Sequence, residues 1–230
     1  MSGPVRREAV DAAFPAFEDG RGLEAARVWC VGRNYADHAR EMGSTEAEVP
    51  FFFSKPTTSL TGAAGVEYPP QTEELHHEVE LVVALGRGGR DLDTAAAGDC
   101  IVAVGVGVDL TRRCAQARAK AAGRPWDLAK GFDQSAPLGP LVAWPAEGFP
   151  EDTPIELAVN GRLRQSGRLG QMIHAPSMLL ARLSREVRLL PGDLLFTGTP
   201  AGVGPLVAGD RVRAWIGTLP ELTFSIHGPE

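Results

Sequence analysis

Apolar residues in this chain come in short runs closed by Gly, Pro or Asp, and few of them keep a helical spacing. Runs at 28–31, 51–53, 79–85, 101–108, 155–159, 194–197, 211–216 and 222–226 are rich in Val, Ile, Leu and Phe and predict strands. Three segments predict helices. In 176–185, Met178, Leu179, Ala181 and Leu183 suggest one apolar face, with Pro176 near its start. Residues 111–122 are rich in Ala, Arg, Lys and Gln, and 36–42 is a shorter candidate. The pattern indicates a β-rich α+β domain with short helices. Residues 1–27 differ in composition and read as an N-terminal extension to a domain at 28–230.

The stretch from His76 to Leu85 reads as one strand, stopped by Gly86. Side chains alternate along a strand, so Glu78 and Glu80 share a face. Two unpaired carboxylates at the start of an apolar strand repel each other and cost several kcal/mol each if buried, at roughly the scale of uncompensated ions. A divalent cation removes that cost, and oxygen ligands suit Mg2+, Mn2+ or Ca2+. A solvated edge with two surface glutamates is the plain alternative. A second apolar run ends at Asp109, which either caps a following helix or completes a Glu, Glu, Asp set that leaves coordination positions for water or substrate.

Composition narrows the function classes. The 230 residues are 43% hydrophobic and 23% charged, as expected of a folded core. A net charge of -6 argues against nucleic-acid binding. No apolar run has the length of a membrane span and no signal-peptide pattern opens the chain, so a cytoplasmic protein is expected. Three cysteines without a CxxC spacing argue against a zinc or disulfide framework, and Cys30 and Cys100 read as buried thiols.

The motifs, in order, resemble the fumarylacetoacetate hydrolase family. They are Gly32-Arg33-Asn34-Tyr35-Ala36-Asp37-His38, Phe52-Phe53-Ser54-Lys55-Pro56, His76-His77-Glu78-Val79-Glu80-Leu81, Asp109-Leu110-Thr111, Leu128-Ala129-Lys130-Gly131-Phe132-Asp133, Val159-Asn160-Gly161 and Phe196-Thr197-Gly198-Thr199-Pro200. Each is modest alone; the ordered set is specific. Pro125-Trp126, and His38 with Glu41, make the chain most similar to the branch of acylpyruvases and oxaloacetate decarboxylases. The resemblance implies a mixed β-sandwich roll of the family's C-terminal type, a homodimer, and Mg2+ or Mn2+ in the site, with Ca2+ as a substitute.

It also implies roles. Glu78, Glu80 and Asp109 match the family's metal ligands, and Lys130 a lysine beside metal and substrate. Arg113 and Gln116 match substrate-contacting positions; an arginine can grip a carboxylate with two hydrogen bonds. His38 and Glu41 match an acid–base pair. At i, i+3 both project from one helix face, and the glutamate orients the ring of a base that activates water. Residues 35–48 read as a lid carrying that pair. The small residues around Thr199 let backbone approach a ligand, and Thr199 can hydrogen-bond a substrate carboxylate. His76 and His77 suit an outer shell or a structural role equally.

The resulting expectation is a metal-dependent hydrolase cleaving the C–C bond of acylpyruvate-type β-diketo acids, such as fumarylpyruvate or acetylpyruvate, from a small 2-oxo acid substrate, with oxaloacetate decarboxylation open to the same site. One rival is an isomerase or decarboxylase of unsaturated diacids in aromatic catabolism. Another is a non-catalytic metal- or ligand-binding protein.

Overall fold

A computed structural model describes residues 15–37 and 50–228. Two sheets carry the fold. The larger has six strands, in the order Val142–Ala143, Ile101–Val108, Val79–Leu85, Asp193–Phe196, Arg27–Gly32, Phe51–Lys55. All its pairs are antiparallel except Arg27–Gly32 with Asp193–Phe196. The second sheet has five strands: Arg162–Arg168, Pro154–Val159, Arg211–Ile216, Leu222–His227 and Gly65–Glu67. The helices are short, Thr94–Gly98, Arg113–Ala121, Asp127–Lys130 and Pro176–Glu186. The architecture is the β-rich one expected, and the long predicted strands sit within a residue or two of their observed ends.

Alternation sorts the central strand Val79–Leu85 between two cores. Val79, Leu81, Val83 and Leu85 pack into the larger cluster, with Ile155, Leu157, Val212, Ile216 and Phe224 of the facing sheet. Val82 and Ala84 point the other way, into a cluster with Val28, Cys30, Leu138, Leu141 and Phe196. The neighbouring strand repeats the logic in its Val-Gly-Val-Gly-Val sequence. Val104, Val106 and Val108 enter the first core. Gly105 and Gly107 face the second, where a Cβ at Gly107 would lie 2.5 Å from Val82 Cγ2 and 2.7 Å from Phe196 Cε1. Only glycine lets that face close. Phe17, Leu23 and Ala25, from the stretch before the first strand, pack against this second cluster.

Three details differ from the sequence reading. The run from His76 to Leu85 is not one strand: Leu75–His77 belongs to a small sheet with Gly204–Leu206 and Thr111–Arg112, and Val79–Leu85 to the six-stranded one. The chain changes sheets at Glu78. The helix expected from 111 begins instead at Arg113, because Thr111 and Arg112 pair with His76 and Leu75. Asp109 is no cap for that helix, whose N-cap residue is Arg112. Residues 38–49, which include His38, Glu41 and most of the expected lid and of the helix expected at 36–42, lie outside the described residues.

Candidate metal centre and active-site cleft

Register brings the three carboxylates together. Val79 pairs with Val108 and Glu80 with Gly107, and the Asp109 backbone N–H donates to Glu78 O at 2.8 Å. Asp109 therefore follows Gly107 onto the face that Glu80 occupies. One carboxylate oxygen from each of Glu78, Glu80 and Asp109 lies within 4.8 Å of the others. All three residues are buried, at 5%, 2% and 0% exposure. The surface-pair alternative is thus excluded.

Basic groups hold the cluster. Lys130 Nζ donates to Glu78 Oε2 at 2.8 Å, Asp109 Oδ2 at 2.7 Å and Thr111 Oγ1 at 2.7 Å. An ammonium has three protons, so all of them are committed to the protein. Burial alone would lower the Lys130 pKa, but the charges of Asp109 and Glu78 outweigh it and raise it. Lys55 is a second buried lysine. It donates to Lys130 O, to Ser135 O at 3.0 Å and to Leu110 O at 3.2 Å, and lies 2.8 Å from Asp109 Oδ1. That approach lacks hydrogen-bond alignment, so Asp109 Oδ1 remains a buried acceptor without a hydrogen bond. Arg113 Nη2 donates to Glu78 Oε1 at 2.5 Å, Nη1 to Gln116 Oε1 at 2.5 Å and Nε to His76 Nδ1 at 3.3 Å. Burial and the Arg113 charge push the His76 pKa down to about 4, so the ring is a neutral acceptor there.

Glu80 is gripped differently. The Gly198 N–H donates to its Oε2 at 2.7 Å. Gly198 has φ +94°, and a Cβ there would lie 2.7 Å from Asn34 Cβ, so the turn needs glycine. Asn34, wholly buried, fixes that turn by donating to Thr197 O at 2.8 Å and His174 O at 2.9 Å. Burial, then the Asp109 and Glu78 charges, drive the Glu80 pKa well above the usual carboxylate range. A divalent cation would offset those repulsions, and the set of buried carboxylate oxygens with an unsatisfied Asp109 Oδ1 fits a hard ion such as Mg2+ or Mn2+.

The cleft above the carboxylates is also lined by Arg113, Gln116, Lys130 and Thr199. Gln165, invisible to the sequence reading, sets the Thr199 hydroxyl. Its Nε2 donates to Thr199 Oγ1 at 2.8 Å and Pro200 O at 2.9 Å, while Oε1 accepts from Val79 N at 3.1 Å and meets His77 Nδ1 at 2.9 Å. Since Oε1 already serves as an acceptor, His77 is protonated on Nδ1. With its oxygen accepting from Gln165, Thr199 has its own proton to donate. Arg113 keeps two uncommitted N–H groups of its five. These donors all belong to elements that meet at the carboxylates, so an anionic ligand could be held beside a bound cation.

The metal assignment has a stability test. Mn2+ at about 100 times its Kd should stabilise chelator-stripped protein by about 2.7 kcal/mol, raising Tm by roughly 5–10 °C for a chain of this size. Glu80→Gln should melt higher than wild type without metal, because it removes a buried repulsive charge, and should lose the Mn2+ shift. An undiminished shift in Glu80→Gln would rule out Glu80 as a ligand.

Known proteins resemble this chain over almost all of its length. The fumarylacetoacetate (FAA) hydrolase C-terminal family matches residues 27–227. Fumarylpyruvate hydrolase from Pseudomonas aeruginosa, solved in complex with Mn2+ and pyruvate, superposes with a TM-score of 0.87 at 43% identity, covering 91% of this chain and 92% of that one. Human mitochondrial oxaloacetate tautomerase FAHD1 is 40% identical over 206 residues, 88% of this chain and 92% of the relative. The 5-carboxymethyl-2-hydroxymuconate delta-isomerase from Mycobacterium smegmatis superposes with a TM-score of 0.79 at 34% identity, covering 91% and 81%. Named relatives thus include a hydrolase, a tautomerase and an isomerase. With the family matched from the first strand to the last, this chain belongs to the fumarylacetoacetate hydrolase C-terminal family.

Proposed function

We propose that this protein is a divalent-metal-dependent hydrolase that cleaves the C–C bond of acylpyruvates. The observation that carries this reading is the buried Glu78, Glu80, Asp109 cluster, two of whose members, Glu78 and Glu80, line a cleft together with Arg113 and Thr199, in a chain 43% identical to a fumarylpyruvate hydrolase crystallised with Mn2+ and pyruvate. Glu78, Glu80 and Asp109 would hold the ion, and Arg113, Gln116 and Thr199 would bind the 2-oxo acid end. A bound cation would supply Lewis-acid stabilisation for the pyruvate enolate that departs.

The protein's own groups do the rest. His38, oriented by Glu41, takes a proton from water, and the water oxygen bonds to the acyl carbonyl carbon. The bond from that carbon to the pyruvyl methylene then breaks; its electron pair passes to the enolate, which is reprotonated on carbon to give pyruvate. The acyl half leaves as a carboxylate. The assignment of His38 and Glu41 rests on the sequence resemblance, since both lie outside the described residues. Lys130 has a narrower part than the sequence suggested. With its three protons on Glu78, Asp109 and Thr111, it orients the ligands and supplies positive potential rather than a hydrogen bond to substrate.

Oxaloacetate tautomerisation or decarboxylation is the second reading, favoured by the likeness to the human tautomerase. Both reactions need a stabilised enolate without an attacking water. Turnover of acetylpyruvate, fumarylpyruvate and oxaloacetate should be measured with Mn2+ and again with chelator. We expect chelator-sensitive acylpyruvate hydrolysis with the higher kcat/KM. Oxaloacetate turnover without acylpyruvate cleavage would replace the hydrolase reading by the second one.

A further inference from the structure

A strand leaves the larger sheet beside the carboxylates, and one side chain takes up the bond it leaves open. Asp193–Phe196 pairs with Val79–Leu85 only as far as Phe196 opposite Val82. Thr197 makes the last two bonds, donating to Leu81 O through its N–H at 3.1 Å and its hydroxyl at 2.8 Å. The Gly198 N–H then turns to the Glu80 carboxylate. Glu78 O accepts from Asp109 N, and bonded pairs alternate along an antiparallel ladder, so the Val79 N–H faces the side that the departing strand has vacated. Gln165 Oε1 accepts from it at 3.1 Å. Gln165 reaches there from Arg162–Arg168, in the facing sheet, and is wholly buried. Gly167 lets that strand close on the same turn: a Cβ there would lie 2.7 Å from Pro200 Cβ.

All four hydrogen-bonding positions of the Gln165 amide are filled, by Val79 N–H and His77 Nδ1 on Oε1 and by Thr199 Oγ1 and Pro200 O on Nε2. The Val79 N–H can only donate and Pro200 O can only accept, so the amide has one orientation. The bonds therefore run one way, from His77 to Gln165 to Thr199, and among the described residues no protein group takes the Thr199 proton. Thr199 lines the cleft with Glu78 and Glu80. Resting on the reading that this cleft takes a 2-oxo acid, we infer that Gln165 is a positioning residue for that acid. It ties Thr199 to Val79, the residue between two of the proposed metal ligands, and holds the Thr199 hydroxyl with its proton toward the ligand. Gln165 has no hydrogen-bonding position left for a substrate, so it acts only through Thr199. Without it the hydroxyl rotates among its staggered positions, and an oriented donor to a carboxylate becomes an occasional one.

Oxalate, which has the shape and charge of a pyruvate enolate, is the probe, titrated calorimetrically into the Mn2+-loaded protein. Gln165→Met and Thr199→Val should each weaken its binding about tenfold or more, the scale of one hydrogen bond to a charged group. The two losses should not add: in the Thr199→Val background, Gln165→Met should change the affinity by no more than about twofold. Additive losses would mean that Gln165 acts on the fold rather than through Thr199 and would overturn the inference, as would wild-type affinity in Gln165→Met. Should Gln165→Met fail to fold, Thr199→Ser carries the test, because it keeps the hydroxyl but loses the methyl that restricts its rotation. Anchored by Gln165, that hydroxyl should still bind oxalate within about threefold of wild type. A loss as large as in Thr199→Val would show that the threonine orients itself, and would overturn the inference. Oxalate binding untouched by Thr199→Val overturns it too. No oxalate binding by the wild type at all would sink the 2-oxo acid reading, and the inference with it.

Discussion

Asp109→Ala is expected to cost about 3–5 kcal/mol of stability as well as all metal-dependent activity. Asp109 is wholly buried and stands between two buried ammonium groups, Lys130 Nζ at 2.7 Å and Lys55 Nζ at 2.8 Å. Alanine leaves Lys55 buried with backbone carbonyls and the Ser135 hydroxyl as its partners, and Lys130 with Glu78 as its remaining carboxylate. Against a total stability of about 5–15 kcal/mol, that is a large fraction. Melts in chelator should show Tm lowered by roughly 6–20 °C. Chelator matters, because it separates the lost ion pair from lost metal binding. A Tm within about 2 °C of wild type would mean that water or side-chain rearrangement compensates the lysines. The double variant Lys55→Met with Asp109→Leu removes both charges and should recover part of the loss, since replacing a buried pair by apolar groups is much less costly than breaking it. A double variant as unstable as the sum of the singles would refute that coupling.

The same geometry explains what could be read from the chain. The carboxylate cluster was legible because strand alternation and an antiparallel register require only local pattern: Glu78 and Glu80 two apart, and Asp109 at the end of a neighbouring strand whose glycines mark its second face. The break at Glu78 was not legible. Nothing in His76-His77-Glu78-Val79 punctuates the run, and the switch of sheets comes from pairing with Gly204–Leu206, far away in sequence. Lys55 belongs to the Phe52-Phe53-Ser54-Lys55-Pro56 motif, but its role as a buried partner of Asp109 is not legible from a lysine closing the strand Phe51–Lys55. Gln165 had none. It sits among Arg162, Arg164 and Arg168, charged neighbours that give no sign of a buried position. The register shifts between Leu157 and Ala158, so Arg164 has no partner in the pairing. That bulge resets the alternation, turning Gln165 inward at 0% exposure and Leu163 outward at 55%. Tertiary pairing, not composition, decided which of the two was functional in appearance.

His38→Ala should lower acylpyruvate hydrolysis by about 10²–10⁴-fold, the usual contribution of a positioned acid–base group. Turnover of oxaloacetate should fall less, because its C–C cleavage needs enolate stabilisation but no activated water. The difference follows from where each group acts. On the proposed mechanism Glu78, Glu80 and Asp109 would hold the ion that stabilises the enolate common to both reactions, so their loss should strike both. On the same mechanism His38 would serve a step that hydrolysis alone contains. The comparison is made at saturating Mn2+, with metal-free Tm of His38→Ala measured beside it. A Tm close to wild type assigns any rate loss to chemistry rather than folding. Unchanged hydrolysis would eliminate His38 as the base and send the search back to the donors already in the cleft. None of those is a ready substitute: Thr199 Oγ1 already accepts from Gln165, and Lys130 is held protonated by Asp109 and Glu78. Equal losses in both reactions would instead make His38 an ordering group for the cleft. The proposed base therefore remains the His38–Glu41 pair, which the sequence resemblance assigns and which lies outside the described residues.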